Sequence, residues 1–304
     1  MRRMIVPMIA ATLLFSGCAG SSQDGNGTSA APGAGVDRSY DVTQIPKVDE
    51  IAALVPEKYA SNGTLNVGVA IDYAPAEFRA DDLQTAIGYD IDLAKALAQV
   101  LGLKYQTGDA EFASLMPGIG SKYAAGISSF TITPERMENY NMISYITVGS
   151  SYAVQKGNPK DFNPDDVCGK KIGVQTGTWQ EEEIASFSDE CVQKGKEAID
   201  VLSYGVQSDV TTNLVGGKID AMYSDSTVAD YAVSLTSGQL EVVGSVRDSA
   251  PQGIVVAKDD PAMTEAIQKA TQYLMDEGYW NKILENWGIE NAALTTAELN
   301  PKVS

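Results

Sequence analysis

The sequence predicts an α/β fold in two lobes, because short buried strands alternate with amphipathic helices along most of the chain. This alternation implies mainly parallel sheets joined by right-handed crossovers. Two segments, 150–152 and 253–257, are typical of crossings between the two halves of the chain. They imply a discontinuous first lobe, residues 62–150 plus 254–290, and an inserted second lobe, residues 151–253.

The composition limits the class of protein. The chain has 304 residues, of which 44% are hydrophobic, enough for one large domain or two modest ones with their own cores. A formal charge of −18 repels phosphate backbones, so we expect no nucleic-acid partner. Histidine is absent, which excludes Ser-His-Asp chemistry and His-ligated metals. We therefore predict neither a metal nor a cofactor.

Residues 1–17 have the pattern of a secretion signal. Arg2 and Arg3 precede an apolar run, 4–15, that is too short to span a bilayer. The run ends in Phe-Ser-Gly-Cys18, which resembles a bacterial lipobox, in which the cysteine is lipidated and becomes the N-terminus. An ordinary signal peptide followed by an unrelated cysteine is the alternative.

The segment 18–61 follows as a lipidated cysteine, a tether and a lead-in to the first lobe. Its part 19–35 is rich in Gly, Ser and Ala and has no apolar period, which predicts a flexible tether. A lipid anchor and a tether together predict a globular protein held at the outer face of a membrane.

Two cysteines remain, Cys168 and Cys191. In an oxidising exterior, two cysteines outside the anchor most simply pair with each other. The bridge would close a loop of roughly 24 residues and stabilise the fold by about 3 kcal/mol on the chain-entropy model. Two buried free thiols are the alternative.

The first lobe begins with a strand, 65–69, and the loop 73–78 after it. Ligands in open α/β sheets bind beyond the carboxyl ends of the strands, so this loop faces the predicted site. The clearest helix begins within 88–97, where Asp90 can cap its N-terminus. Its apolar stripe packs on a sheet, and Asp92 is expected on the opposite face.

The stretch 126–136 carries the strongest indication of a binding site. It predicts a buried strand, 126–130, and then a helix capped by Thr133 with Pro134 at its first position. Arg136 falls in the first turn, where the helix dipole disfavours a cation unless an anion lies beside it. A guanidinium can hold a carboxylate with two parallel hydrogen bonds. A helix cap with a surface arginine is the alternative.

Further strands are predicted at 142–148, 150–156, 171–175 and 218–225. After the third of these, a Gly-Thr turn leads into a helix that opens at Trp179. Such a turn offers free backbone N–H groups and a positive dipole end to an anion. A simple capping turn is the alternative.

The rest of the chain has fewer features. A helix begins at Asp260, is interrupted at Gly278 and ends near Trp287. The C-terminal tail, 291–304, lacks a firm pattern.

The nine residues Ser-Ser-Phe-Thr-Ile-Thr-Pro-Glu-Arg136 resemble a signature of the extracytoplasmic amino-acid-binding proteins of ABC importers, solute-binding family 3. The Tyr73 loop, the helix after Gly88, the Gly-Thr-Trp179 turn and the strand that ends at Asp225 match the same family in order. The resemblance covers about residues 62–290. It implies a type II periplasmic-binding-protein fold, with a mainly parallel sheet in each lobe, flanking helices and two hinge crossings.

The resemblance also implies the ligand contacts. The family holds the α-carboxylate with an arginine and with groups of two loops, which correspond here to Arg136, Thr131, Thr178 and Trp179. It holds the α-ammonium with an aspartate and a serine and flanks the side chain with aromatic rings, which correspond here to Asp225, Ser129, Tyr73 and Phe112. A structural loop tyrosine and a core phenylalanine are the alternatives for the two aromatic residues.

In function, the resemblance implies a monomeric, lipid-anchored binding protein that delivers an amino acid to an ABC importer permease by hinge closure, and no enzyme. A sensory binding lipoprotein and a dehydratase-like enzyme are the alternatives. Ala70 stands where lysine- or histidine-binding relatives often carry an aspartate, which argues against a cationic ligand. Asp72 and Glu77 leave that possibility open.

Overall fold

The computed structural model describes residues 37–303, so the signal segment and Cys18 lie outside the described residues. The strands are β1 (Thr64–Val69), β2 (Phe78–Arg79), β3 (Ala86–Ile87), β4 (Lys104–Asp109), β5 (Ala125–Gly126), β6 (Tyr140–Gln155), β7 (Lys171–Gln175), β8 (Asp200–Tyr204), β9 (Ala221–Asp225) and β10 (Leu240–Ala257). The helices are α1 (Asp49–Ala52), α2 (Glu57–Ala60), α3 (Tyr89–Leu101), α4 (Phe112–Leu115), α5 (Pro134–Asn139), α6 (Trp179–Gln193), α7 (Gln207–Val215), α8 (Ser226–Leu235), α9 (Pro261–Asp276) and α10 (Tyr279–Trp287).

The main sheet runs through both lobes in the order β4-β1-β5-β10-β6-β9-β7-β8, and β2 and β3 form a separate hairpin. Strand β1 lies parallel to β4 and β5 on one side, and β7 lies parallel to β8 and β9 on the other. Between them, β6 and β10 pair antiparallel along almost their whole length. The predicted α/β fold with a mainly parallel sheet in each lobe and two crossings is confirmed.

The two crossing strands are longer than predicted. Strand β6 is continuous where the sequence predicts two strands, because the small residues at 149–151 interrupt the apolar pattern but still pair with β9 and β10. Strand β10 begins at Leu240, well before the predicted crossing at 253. Its register with β6 shifts between Val243 and Ala250, where the ladder is irregular.

Buried apolar side chains form separate cores in the two lobes. The largest cluster takes its members from 45–148 and 254–297, together with Val228. Another cluster draws on 152–223 and includes Cys191, which is bonded to Cys168 with a Cα–Cα distance of 5.6 Å. The predicted disulfide is confirmed, and the lobe boundaries stay predictions.

The helix α3 departs from two expectations. Its N-cap is Gly88, and Asp90 makes no capping bond. Asp92 is buried rather than on the solvent face, because its Oδ2 accepts from the backbone N–H of Tyr40 (2.9 Å) and from Nε1 of Trp287 (3.0 Å). Asp92 therefore has partners far away in the sequence.

The C-terminal tail lies along β6. Ala293 and Leu299 form isolated bridges with Ile146 and Ile143, and the backbone N–H of Asn300 donates to the carbonyl of Met142 over 2.7 Å. Within residues 37–303, no helix is long and apolar enough to cross a membrane.

Candidate functional site

The segment after β5 leaves the sheet early. The predicted strand 126–130 is wrong in extent, since β5 ends at Gly126 while the next four residues stay buried. Ser129 has φ of +49°, and its backbone N–H donates to Asp90 Oδ2 over 2.7 Å rather than to a neighbouring strand. The Asp90 carboxylate thus takes the place of a neighbouring strand as hydrogen-bond acceptor for Ser129. The Ser129 side chain then lies at the cavity between the lobes.

Helix α5 places Arg136 between the lobes. Thr133 caps the helix by accepting from the Arg136 N–H (3.2 Å), and Pro134 is its first residue, as predicted. The guanidinium donates through Nη1 to the Thr131 carbonyl (2.8 Å) and through Nη2 to the Gly177 carbonyl of the second lobe (3.0 Å). Burial lowers the pKa of Arg136, and no carboxylate lies within 4 Å of it among the described residues.

The turn from β7 into α6 faces Arg136 from the second lobe. Thr178 is the N-cap residue: its Oγ donates to the Gln175 carbonyl (2.7 Å) and accepts from the Glu181 N–H (3.3 Å). Trp179 is the first helical residue, so its backbone N–H has no partner within the helix. The predicted helix start at Trp179 is confirmed.

Asp225 ends β9 and is 3% exposed. Its two carboxylate oxygens accept from Nε2 of Gln180 (2.8 Å) and Nε2 of Gln252 (2.6 Å). Its backbone N–H donates to the hydroxyl oxygen of Tyr73 in the first lobe (3.2 Å). Burial raises the pKa of Asp225 to about 6. Sequence reasoning missed both glutamines, and only the position of Gln180 directly after the Gly-Thr-Trp turn could have indicated it.

Aromatic rings form the walls of the first-lobe side. Tyr73 and Phe112 are both buried, and Phe112 stacks on Phe130 with 4.9 Å between ring centroids. The Tyr73 loop also contains a cis peptide bond before Pro75. These rings give the cavity apolar walls beside its charged groups.

All the predicted ligand contacts line one small cavity between the lobes. Its lining consists of Tyr73, Phe112, Ser129, Thr131, Arg136, Thr178, Trp179, Gln180 and Asp225. The structure therefore brings together residues from both lobes that are up to 152 positions apart. Their role in ligand binding stays a prediction. Among residues 37–303, no group of three or more His, Cys, Asp or Glu side chains could hold a metal ion.

This cavity has the polarity that a zwitterion requires. One side presents the Arg136 guanidinium and the start of α6, and another presents the Asp225 carboxylate. Charged groups lose most of their hydration when they are enclosed, so each end of a bound zwitterion needs a partner of opposite charge.

Comparisons of the sequence and of the structure with known proteins agree with each other. The family model of the bacterial extracellular solute-binding proteins, family 3, matches residues 65–290. The arginine-binding protein ArgT of Corynebacterium glutamicum is 34% identical over 255 residues, which cover 83% of each chain. An ancestral arginine-binding protein bound to arginine superposes with a TM-score of 0.69 at 30% identity and covers 74% of this chain and 98% of its own. The ancestral amino-acid-binding protein AncCDT-1, a precursor of cyclohexadienyl dehydratase, gives a TM-score of 0.68 at 29% identity, with 77% and 99% coverage.

Proposed function

Because the chain belongs to the bacterial extracellular solute-binding proteins of family 3, we propose that it captures an amino acid between its lobes and delivers it to an ABC importer. The observation that carries this proposal is the single cavity lined by both Arg136 and Asp225. The guanidinium would take the α-carboxylate together with the backbone N–H of Trp179. Asp225 and Ser129 would take the α-ammonium.

Closure of the lobes would complete this site. Arg136 reaches Gly177, and Tyr73 reaches the backbone of Asp225, so contacts already cross from one lobe to the other around the cavity. A ligand held by both lobes stabilises the closed arrangement by its differential affinity for it. The lobes would be residues 62–150 with 254–290, and residues 151–253.

Asp72, which adjoins the cavity wall at Tyr73 without lining the cavity itself, favours a basic side chain on the ligand. Glu77 is fully buried and bonds Ser128, so it is unavailable to a ligand. Asp72 lies beside Tyr73, where its carboxylate accepts from the backbone N–H of Gln207 (3.0 Å) and burial raises its pKa to about 6. No Lys or Arg side chain of the described chain lies within 4 Å of it. A cationic ligand could supply this missing partner, and ArgT carries the name of an arginine binder.

The anchor and the partner complete the proposal. Lipidated Cys18 would hold a monomer at the outer face of the membrane, with the segment 18–61 as its tether. The permease of the importer would receive the closed, loaded protein. A sensory lipoprotein would use the same cavity, so binding alone does not separate sensing from transport. Deletion of the gene does separate them, because it should abolish uptake of the labelled ligand only if the protein serves transport.

An enzyme on this fold has less support. The AncCDT-1 neighbour is itself described as an amino-acid-binding protein. A general base must be aimed at a proton on a substrate carbon, whereas the role proposed for Asp225 is to hold the ammonium. No histidine is present to serve instead.

Isothermal titration against the twenty amino acids tests the binding proposal, with L-arginine first. Two analogues of the best ligand provide the controls: its methyl ester removes the carboxylate charge, and its Nα-acetyl derivative removes the ammonium charge. We expect each to bind at least about 30-fold more weakly, because each leaves one buried protein charge without a partner. An ester that binds within about threefold of the free acid would contradict the assignment of Arg136.

A further inference from the structure

Two acidic side chains lie in direct contact behind the ligand cavity. Glu77 and Asp90 are both 0% exposed, and the backbone N–H of Asp90 donates to the carbonyl of Ala76, the residue before Glu77, over 2.9 Å. This bond brings the two carboxyl groups into contact. Neither forms an ion pair with a Lys or Arg side chain of residues 37–303. The titratable groups that interact electrostatically with them include acidic and phenolic side chains: Asp72, Tyr73, Tyr89, Tyr105, Tyr145 and Asp225.

One proton between the two carboxyl groups would complete the hydrogen bonds of the pair. Glu77 Oε2 and Asp90 Oδ1 have no N–H or O–H donor among the described residues. Two ionised carboxylates in contact would repel each other and leave both atoms unsatisfied. A proton on one carboxyl group satisfies both atoms, because the protonated group donates to the other.

The partners of each carboxyl group indicate which one carries the proton. Asp90 Oδ2 accepts from the Ser129 N–H (2.7 Å), the Ser129 hydroxyl (3.2 Å) and the Tyr145 hydroxyl (3.0 Å). Glu77 accepts from the Ser128 hydroxyl alone, at 2.5 Å. Several donors favour the ionised form of a carboxyl group, so Asp90 is the ionised member. Burial raises the pKa of Glu77 well above its ordinary value, which agrees with this assignment.

We propose that Glu77 stays protonated and Asp90 ionised at neutral pH, and that together they set Ser129 for the ligand's α-ammonium. Asp90 accepts both donors of Ser129 and holds its backbone at φ +49°. Because the hydroxyl proton points to Asp90, an oxygen lone pair is left facing the cavity, where an ammonium can donate to it. Glu77 and Asp90 are positioning residues and do not touch the ligand. This role rests on the proposed amino-acid binding.

Three isosteric variants separate this role from a general effect of buried acids. In Glu77→Gln, the amide reproduces both the donor to Asp90 and the acceptor for Ser128, so we expect a smaller loss of affinity for L-arginine than in Asp90→Asn. In Asp90→Asn, the charged acceptor of Ser129 becomes a neutral one, and we expect about 10- to 100-fold weaker binding. Asp92→Asn is the matched control, since Asp92 is equally buried on α3 but bonds Tyr40 and Trp287 instead. It should bind like wild type.

Infrared spectroscopy tests the protonation without any ligand. Wild-type protein at pH 8 should show the carbonyl band of a protonated carboxylic acid, shifted in D₂O and missing from the Glu77→Gln spectrum. Identical wild-type and variant spectra overturn the proposal, even if Asp90→Asn fails to fold. Wild type that binds no amino acid contradicts the proposed function. If wild type binds and the affinity of Asp90→Asn lies within about threefold of it, the positioning of Ser129 is contradicted while the proposed function stands.

Discussion

Asp225→Asn removes one charge from the cavity and keeps the volume of the side chain. In the wild type, the two carboxylate oxygens accept separately from Gln180 and Gln252. An asparagine can offer an oxygen to one of these amides, and its own NH₂ then meets the other donor. The α-ammonium of a bound amino acid also loses its counter-charge. Losing one partner of a buried charge pair costs about 2–5 kcal/mol, or roughly 30- to several-thousand-fold in affinity.

The pKa of Asp225 adds a pH signature to this loss. Burial raises it to about 6 in the unliganded protein, and only the ionised form attracts an ammonium. At pH 5, one unit below this pKa, roughly a tenth of the molecules carry the charge. Wild-type affinity should therefore be about tenfold lower at pH 5 than at pH 8, and Asp225→Asn should lack this contribution.

The same shift has a defined sign for stability. The folded pKa is above the ordinary value of 3.8, so the folded state binds this proton more readily than the unfolded chain does. The contribution of Asp225 to the free energy of unfolding thus falls as pH rises from about 4 to about 6 and is constant above that. Asp225→Asn should flatten this part of the stability profile in chemical denaturation.

Isothermal titration with the best ligand at pH 5 and pH 8 measures both effects. Asp230→Asn is the control, because it makes the same change in charge on α8 but lies at the surface, outside the cavity lining. It should bind like wild type at both values of pH. Asp225→Asn within about threefold of wild type at pH 8 would refute the assignment of the ammonium to Asp225.

Other predictions concern the remaining features. Arg136→Ala should weaken binding roughly 30- to several-thousand-fold, measured by the same titration. Replacing Cys168 and Cys191 by serine should lower the free energy of unfolding by about 3 kcal/mol in guanidinium denaturation, whereas labelling of both thiols in the oxidised wild type would contradict the bridge. Mature protein should carry lipid at Cys18, and acyl mass that persists in Cys18→Ser would disprove this. Deletion of 291–304 should lower the thermal midpoint, because the tail bonds β6.

Local signals in the sequence were sufficient for much of the fold. The cap at Thr133, the proline after it and the helix start at Trp179 each depend on neighbours within one turn, and each is confirmed. The disulfide between the two cysteines is also confirmed. It could be predicted because two cysteines in an oxidising exterior have few alternatives to pairing with each other. The strands predicted at 65–69 and 171–175 followed from the same kind of local pattern.

What could not be predicted depends on partners distant in sequence. Asp90 and Asp92 are typical of the polar first turn of a helix, yet their acceptor atoms bond residues as far away as Trp287. The departure of Ser129 from the sheet follows from Asp90, 39 positions earlier, and no local pattern encodes it. Likewise, a break in apolar periodicity near 150 could not reveal that β6 continues, since its neighbours come from β9 and β10.

The position of β10 also has a consequence for how the chain assembles. It is the last strand of the sheet in sequence, but it lies in the middle, between β5 and β6. Synthesis therefore produces β1, β4 and β5 long before β10, the strand that joins them to the rest of the sheet. Strands β6, β7, β8 and β9 can associate with one another before β10 is made. Until β10 takes its place in the sheet, β5 and β6 each present an open edge that another chain could pair with. The first lobe can therefore complete its core only once residues 254–297 are present, although its sequence begins earlier in the chain.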